Sequence, residues 1–371
     1  MNKNRVKKVI LSFIAAGALF LALLFSAPLA KGAQNGIQLC LNSLIPSLFI
    51  FMALCSFFME TGIGYKMLSF LTSPLSRLLH ISHSGAAIFC FSLLGGFPVG
   101  AKLLADAVKR KEIDQNTAER MLAYCVNCGP AFLISAVSVP IFHNYTIGII
   151  VYCSQVLSAL AVAIITARNL KKKNVLPVSR QQDSGAVSFQ FIHAVESTIR
   201  SMALICALVV IFSAINYVLD DIGIMQKLAS GFSLFMTDKM AISLLTGILE
   251  VTNGCNALAA SQSLIVLIII TGFGGLCVQL QIKAVTANMR MTYFYLYRPL
   301  YIACSLFFSM ILIRFFGGTA AVFNYQQPIV QKPFLVSPAF SILLIILSVF
   351  LLLSVRKSDI INKTLTDGKN E

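Results

Sequence analysis

Glu250 is the residue of this sequence with the clearest chemical potential, because it is the single acid that falls at membrane depth when the apolar segments are assigned as spans. A carboxylate inside a bilayer is costly and usually marks a functional site. At that depth Glu250 could bind a coupling proton or a cation. The alternative is a solvated carboxylate at the outer mouth of a hairpin, and the sequence leaves both interpretations open.

Amide and amine side chains near the same kind of apolar segment could contact a substrate. Asn253 and Asn256 follow Glu250 closely enough to offer amide ligands, although asparagine also serves as a turn or cap residue. Lys102 follows a break rich in glycine and could attract an anion, helped by the positive end of the helix that starts there. The alternative for Lys102 is a side chain that extends to the cytoplasmic interface.

Two further apolar segments carry isolated amide side chains. Asn127 lies in CVNCGP, residues 125–130, which interrupts its segment and frees backbone polar groups; a simple kink is the alternative. Gln279 and Gln281 lie in the corresponding segment of the second half, where only one of them can face the interior of a regular helix, and Gln281 could mark the inner end. The predicted substrate-binding residues are therefore Lys102, Asn127, Glu250, Asn253, Asn256 and Gln279.

Other chemistries have weak support in the sequence. Cys125 and Cys128 form a Cys-x-x-Cys pair and His80 and His83 a His-x-x-His pair, but neither has the second pair or the carboxylate that a metal site needs. The sequence has no phosphate-binding loop and no nucleophile elbow. We expect no metal, no cofactor and no enzymatic activity, while coupling to a proton or a sodium ion stays open.

The composition predicts a polytopic membrane protein with the lipid bilayer as its environment. Of the 371 residues, 57% are hydrophobic and only 12% are charged, and the mean hydropathy is +0.83, whereas soluble domains carry about 25% charged residues. The formal net charge of +15 does not indicate a nucleic-acid partner, because Lys and Arg lie between apolar segments instead of forming one basic face. Most of the cysteines stand singly in apolar segments, where they act as small hydrophobic residues.

Two apolar segments are broken in a similar way and must position these side chains. Residues 92–102 and 243–254 both begin Ser-Leu-Leu-x-Gly and contain residues that disfavour a continuous helix. Broken segments in corresponding halves are typical of the binding site of a transporter. We predict a re-entrant hairpin at each, and turns at Gly95, Gly96, Pro98, Gly100, Gly129, Pro130, Gly247, Gly254, Gly274 and Gly275.

The predicted fold is an all-α polytopic membrane protein with about eight transmembrane helices and two re-entrant helical hairpins. The parts, in order, are N-terminal spans at 1–60, a first unit at 61–167, a basic cytoplasmic linker at 168–200, a second unit at 201–316, and a last helix with a cytoplasmic tail at 317–371. The first unit has a hairpin at 85–111, a broken helix at 117–142 and a helix at 146–167. The second has a helix at 201–219, a hairpin at 240–262, a broken helix at 263–282 and a helix at 301–316.

The distribution of basic residues orients this arrangement. Most of the 29 Lys and Arg residues fall on one side, which the positive-inside rule assigns to the cytoplasm together with both termini. Residues 1–30 also resemble a signal peptide, but their apolar part is long enough to span. With this topology the two hairpins enter from opposite sides, which predicts inverted repeats in which Gly96 corresponds to Gly247 and Gly129 to Gly274.

Several motifs occur together in a familiar order. They are GFPVGAK at 96–102, AER at 118–120 with NCGPAF at 127–132, EVTNGC at 250–255, and GFGG at 272–275 before QLQ at 279–281. In this order they resemble the YlbJ-type (SpoVV) sporulation integral membrane proteins, whose nucleoside-recognition Gate domains are similar to parts of concentrative nucleoside transporters. The resemblance covers about residues 40 to 320.

The resemblance implies a membrane around the developing spore and a role in moving dipicolinate, a small anionic aromatic dicarboxylate, out of the mother cell for spore maturation. It implies a small anionic substrate, and it leaves open a homo-oligomer or sporulation membrane partners. Two other functions remain as alternatives: a membrane scaffold of a sporulation assembly that transports nothing, and a carrier of nucleosides.

Overall fold

The computed structural model describes residues 19–168, 187–286 and 289–316, together with residues 12, 16 and 17. They belong to one compact unit, Met1–Gly318. The predicted last helix and tail at 317–371, and most of the predicted linker at 168–200, lie outside the described residues.

The described elements are all helices, and we number them in chain order. The first half contains α1 (Ser26–Glu60), α2 (Ile63–Met67), α3 (Ser69–Leu79), α4 (His83–Gly95), α5 (Phe97–Lys109), α6 (Gln115–Cys125), α7 (Phe132–Phe142) and α8 (Tyr145–Arg168). The second half contains α9 (Val187–Asp221), α10 (Ile224–Ser230), α11 (Asp238–Leu249), α12 (Val251–Ala257), α13 (Leu264–Phe273), α14 (Gly275–Thr286) and α15 (Thr292–Phe316).

Membrane-spanning helices dominate the described chain. Five are long and apolar enough to cross a bilayer: α1, α8, α9, the pair α13 and α14 taken together, and α15. A sixth arises if α3 and α4, which are bent by 108°, form one span. Large apolar side chains such as Leu296 and Phe307 are exposed on these helices, as expected of surfaces that face lipid tails. The prediction of an all-α polytopic membrane protein is confirmed.

The N-terminal region differs from the spans expected within residues 1–60. The chain continues as the single helix α1 past residue 30, where the first predicted apolar segment ends. Gly32 and Gly36 are the reason, because they form a Gly-x-x-x-Gly contact surface instead of a turn: a Cβ added to Gly32 would lie 2.7 Å from Ala214 Cα, and one added to Gly36 would lie 2.8 Å from Val210 Cα. Small residues at this spacing let two helix backbones approach closely inside a membrane. Here they join α1 to α9.

The first hairpin consists of α4 and α5, which meet at Gly96. Its φ of +85° is a conformation that glycine adopts at little cost. Beyond the turn, Gly100 faces back toward Ser92 of α4, and a Cβ added there would lie 2.8 Å from Ser92 Cβ and collide with the carbonyl oxygen of Cys125 in α6. The glycines thus allow the two arms of the hairpin and α6 to pack backbone against backbone.

The second hairpin consists of α11 and α12, which meet at Glu250. This residue is extended, with φ −144° and ψ 121°, and it separates the two helices. Gly247 and Gly254 lie on either side of it, and a Cβ added to Gly254 would collide with the backbone of Gly247. Close glycine contacts therefore hold this hairpin as well.

Each hairpin also contacts the break of a neighbouring helix. Residues 126–129 are non-helical between α6 and α7, and a Cβ added to Gly129 would lie 3.2 Å from the nitrogen of Gly96. Between α13 and α14 the left-handed residues Gly274 and Gly275 form the break, and a Cβ added to Gly275 would lie 3.0 Å from the oxygen of Gly247. In each half, the hairpin glycine therefore touches the broken helix of the same half.

Candidate functional site

Three of the four breaks line a small cavity in the helical bundle. The turn of the first hairpin contributes Gly96, Phe97 and Pro98, the break before α7 contributes Cys128 and Gly129, and the second hairpin contributes Glu250, Val251 and Thr252. Side chains of α1, α9 and α14 complete the wall. The cavity volume is about 30 Å³, which gives room for one or two water molecules. A substrate can therefore enter only after the helices move apart.

Glu250 lines this cavity and also caps α12. Its Oε1 accepts a hydrogen bond of 3.0 Å from the backbone N–H of Thr252, and its Oε2 accepts one of 2.7 Å from that of Asn253. These N–H groups belong to the first turn of the helix, which has no internal acceptor for them, and the positive end of the helix stabilises a negative charge there. Glu250 thus both separates α11 from α12 and caps α12. Its side chain is only 2% exposed.

Asn253 connects the second hairpin to the two helices packed against it. Its Nδ2 donates a hydrogen bond of 2.6 Å to Ser213 Oγ in α9, and its Oδ1 accepts one of 3.3 Å from Asn35 Nδ2 in α1. The side chain is buried next to Glu250 but does not line the cavity. This polar network fixes the position of α12 relative to α1 and α9.

Asn127 is buried in the break between α6 and α7. Its Nδ2 donates a hydrogen bond of 2.7 Å to the carbonyl oxygen of Tyr124, whereas its Oδ1 has no hydrogen-bond partner among the described residues. The neighbouring residues Cys128 and Gly129 reach the cavity wall. Asn127 therefore stabilises the break one layer behind the wall.

The other three predicted substrate-binding residues do not line the cavity either, so that Glu250 alone of the six does. Lys102 is buried, but its Nζ is 3.0 Å from Asp106 Oδ2 and 3.3 Å from Ser56 Oγ, because five residues after Phe97 it faces α1 and not the hairpin turn. Asn256 is exposed on the far side of α12. Gln279 is buried without lining the cavity.

Gln281 takes the position that the sequence analysis gave to Gln279. It lines the cavity, and its Nε2 lies 3.3 Å from Cys277 Sγ on the same helix. The signal available in the sequence was the spacing of two residues between the glutamines, which puts them on different faces of α14. Only the rotation of α14, which follows from the turn at Gly274 and Gly275, decides which face is inward.

Two turns of π-helix also adjoin the cavity. They are Cys40–Leu44 in α1 and Phe132–Ser138 at the start of α7, and Leu44 and Phe132 both line the wall. A π-helical turn often accompanies a functional site, since it widens the helix locally and shifts the direction of its side chains. No residue pattern in the sequence indicated either turn.

Arg298 is a buried charged residue that the sequence did not indicate. The predicted helix at 301–316 left it among the basic residues between helices, but it lies inside α15 and is only 3% exposed. Its Nη1 donates a hydrogen bond of 2.9 Å to the carbonyl oxygen of Val126, in the break that leads to Cys128. A buried cation therefore lies directly behind the cavity wall.

The histidine and cysteine pairs are arranged differently from each other. Cys125 and Cys128 are both buried, and Cys128 lines the cavity, while His80 and His83 are exposed. Within the described ranges, no three His, Cys, Asp or Glu residues are grouped so that they could hold a metal ion.

Comparison with known proteins gives one match across most of the chain. The chain is 24% identical over 340 residues to the sporulation integral membrane protein YlbJ of Bacillus subtilis (strain 168), and the match covers 82% of this chain and 80% of that protein. No protein-family model matches, and no solved structure does. The length of this match and the helical membrane architecture together support the assignment of the chain to the YlbJ-type sporulation integral membrane proteins.

Proposed function

We propose that this membrane protein of sporulation is a secondary transporter or gated permease for a small anionic aromatic dicarboxylate such as dipicolinate. In this proposal it moves the substrate out of the mother cell, across the membrane that surrounds the forespore, and both of its termini lie in the cytoplasm. The protein carries out no chemical conversion of the substrate.

The observation that carries the proposal is the cavity lined by two hairpin turns, the break before α7 and side chains of α14. Transporters commonly bind substrate near the middle of the membrane, where discontinuous helices of two repeats meet. The matched contacts, Gly96 with Gly129 and Gly247 with Gly275, support two related halves. We propose that these halves are inverted repeats.

The wall of the cavity suits a flat anion. Phe97 and Phe132 supply aromatic surface, and α5 begins at Phe97, so its positive end points toward the cavity. Free N–H groups at such a helix end favour carboxylates. Glu250 is the one carboxylate among the described residues that line the cavity, and we propose that it takes up the coupling proton or sodium ion that offsets the charge of the substrate.

Radiolabelled dipicolinate uptake into proteoliposomes tests the proposal. We expect saturable uptake with the purified protein, which excess unlabelled dipicolinate suppresses and excess uridine does not, and only passive leak in liposomes without protein. Suppression by uridine at equal concentration would favour a nucleoside carrier. Uptake no faster than the leak would contradict transport and favour a scaffold.

A further inference from the structure

We propose that Arg298 is a carboxylate-binding residue of the transport site, reached when the cavity opens between Phe97 and Gly274. The inference rests on the proposed function, because it assigns the recognition of the anionic substrate to one side chain. It also replaces Lys102, the residue that the sequence offered for this role.

Arg298 is buried inside a helix, where a positive charge without a counterion is energetically unfavourable. It is the seventh residue of α15, about 9 Å along the helix axis from its start, and it is 3% exposed. A buried ion without a counterion costs several kcal/mol. Retention of such a charge in a membrane helix is explained most simply by a partner that is bound only part of the time.

The guanidinium has one edge without a partner. Rings of Phe294 and Tyr301 lie on the cation, with centroids 4.8 and 4.7 Å from Cζ. Nη1 is bonded to the oxygen of Val126, whereas Nε and Nη2 have no hydrogen-bond partner among the described residues. Nε and Nη2 lie on the same edge of the planar guanidinium group. Together they can donate two parallel hydrogen bonds to one carboxylate.

Other buried cations of the described ranges have acids nearby. Lys102 pairs with Asp106 at 3.0 Å, and Arg120 interacts electrostatically with Asp114. No ion pair of Arg298 occurs within the described residues, although its side chain is as buried as theirs. The missing partner is therefore specific to Arg298 and not a general feature of cations in this fold.

The free edge of Arg298 faces the cavity wall. A Cβ added to Gly274 would lie 3.5 Å from Arg298 Nη2 and 3.5 Å from Phe97 Cε1. Gly274 therefore lies between the guanidinium and Phe97, which lines the cavity. The absence of a side chain at Gly274 keeps this path clear. A small outward movement of the first hairpin would bring a carboxylate in the cavity to the unpaired donors.

Equilibrium binding of labelled dipicolinate to the purified full-length protein tests the assignment. Competitors are pyridine-2,6-dicarboxamide, which has the same ring without charge, and inorganic phosphate. We expect the wild type to bind dipicolinate in preference to both. Arg298→Gln should weaken binding about 10- to 100-fold, the range of a charged hydrogen-bonded pair, and Arg298→Lys, which keeps the charge but loses the planar fork, about tenfold. The exposed Arg314 of the same helix provides the matched control, Arg314→Lys, with unchanged affinity.

Each outcome bears on one of the two proposals. Wild-type affinity in a folded Arg298→Gln protein would overturn the assignment, and if that variant does not fold, wild-type affinity in Arg298→Lys would overturn it. Equal competition by phosphate or by the dicarboxamide would overturn the recognition of a carboxylate, as would the absence of binding in the wild type. Binding that depends on Arg298 without any flux in proteoliposomes would refute transport alone, and flux that ignores Arg298 would refute this site alone.

Discussion

At the scale of single residues, Glu250 combines a structural and a chemical role. Both of its oxygens cap α12, and the same carboxylate lines the cavity. A residue with two roles needs substitutions that separate them, because loss of activity alone does not tell a cap from a binding group.

Glu250→Gln and Glu250→Ala separate these roles. Loss of an N-cap costs about 1 kcal/mol, up to about 2 kcal/mol, of stability. We expect Glu250→Ala to lose about this free energy of unfolding, whereas Glu250→Gln keeps one acceptor oxygen and loses less. Both variants should lose dipicolinate uptake, because neither can exchange a proton or hold a cation.

Urea unfolding in detergent and proteoliposome uptake are the two measurements for these variants. Asp238→Asn is the matched control, since this acid lies in the same hairpin but is exposed at the start of α11. A stable Glu250→Gln protein that transports at the wild-type rate would remove the carboxylate from the mechanism.

The sequence predicted some of these residues for good physical reasons. An acid at membrane depth is conspicuous, so Glu250 was found. Lys102 and Arg298 were misjudged because the sequence shows a charge but not its partners. Asp106 lies one helical turn from Lys102, and Arg298 is the seventh residue of a helix that was predicted to start only at residue 301. Sequence distance from an apolar segment is a poor measure of burial.

At the scale of elements, the hairpins depend on glycines that let backbones touch. A Cβ at Gly100 would collide with the Cys125 carbonyl oxygen, and one at Gly254 with Gly247. Overpacking of this kind costs about 1 to 3 kcal/mol. Gly100→Ala and Gly254→Ala should therefore lower the melting temperature and the uptake rate together.

Thermal unfolding followed by the loss of the monodisperse size-exclusion peak measures this effect. Gly17→Ala is the control, because among the described residues no atom beyond its chain neighbours and its own helix backbone lies within 4 Å of the added Cβ, and alanine in place of an exposed helical glycine is neutral or slightly stabilising. Unchanged melting temperatures in Gly100→Ala and Gly254→Ala would show that the hairpin arms are not tightly packed.

The breaks that the sequence predicted are those where several residues that disfavour a helix lie together. Clusters of glycine and proline indicated the breaks at residues 95–100 and 126–130, because such residues disfavour a helix wherever they occur. The helix contact at Gly32 and Gly36 was not predicted, since a glycine in a turn and a glycine in a helix contact have the same local signature. Their role depends on α9, which lies far away in the sequence.

At the scale of the whole molecule, the two halves meet at a small cavity. Its volume of about 30 Å³ admits water but no aromatic dicarboxylate, so the described conformation has no room for the substrate. Transport requires at least one conformation in which a hairpin has moved and the cavity has opened to one side of the membrane.

Cys128 reports whether this cavity is the substrate site, because it lines the cavity and is 1% exposed. In a variant that keeps Cys128 as its single cysteine and still transports, the thiol should react with a small maleimide as the cavity opens. Saturating dipicolinate should slow this labelling, with half-protection at the concentration that half-saturates transport. Equal labelling with and without dipicolinate in the transporting protein would contradict the account and place the route elsewhere.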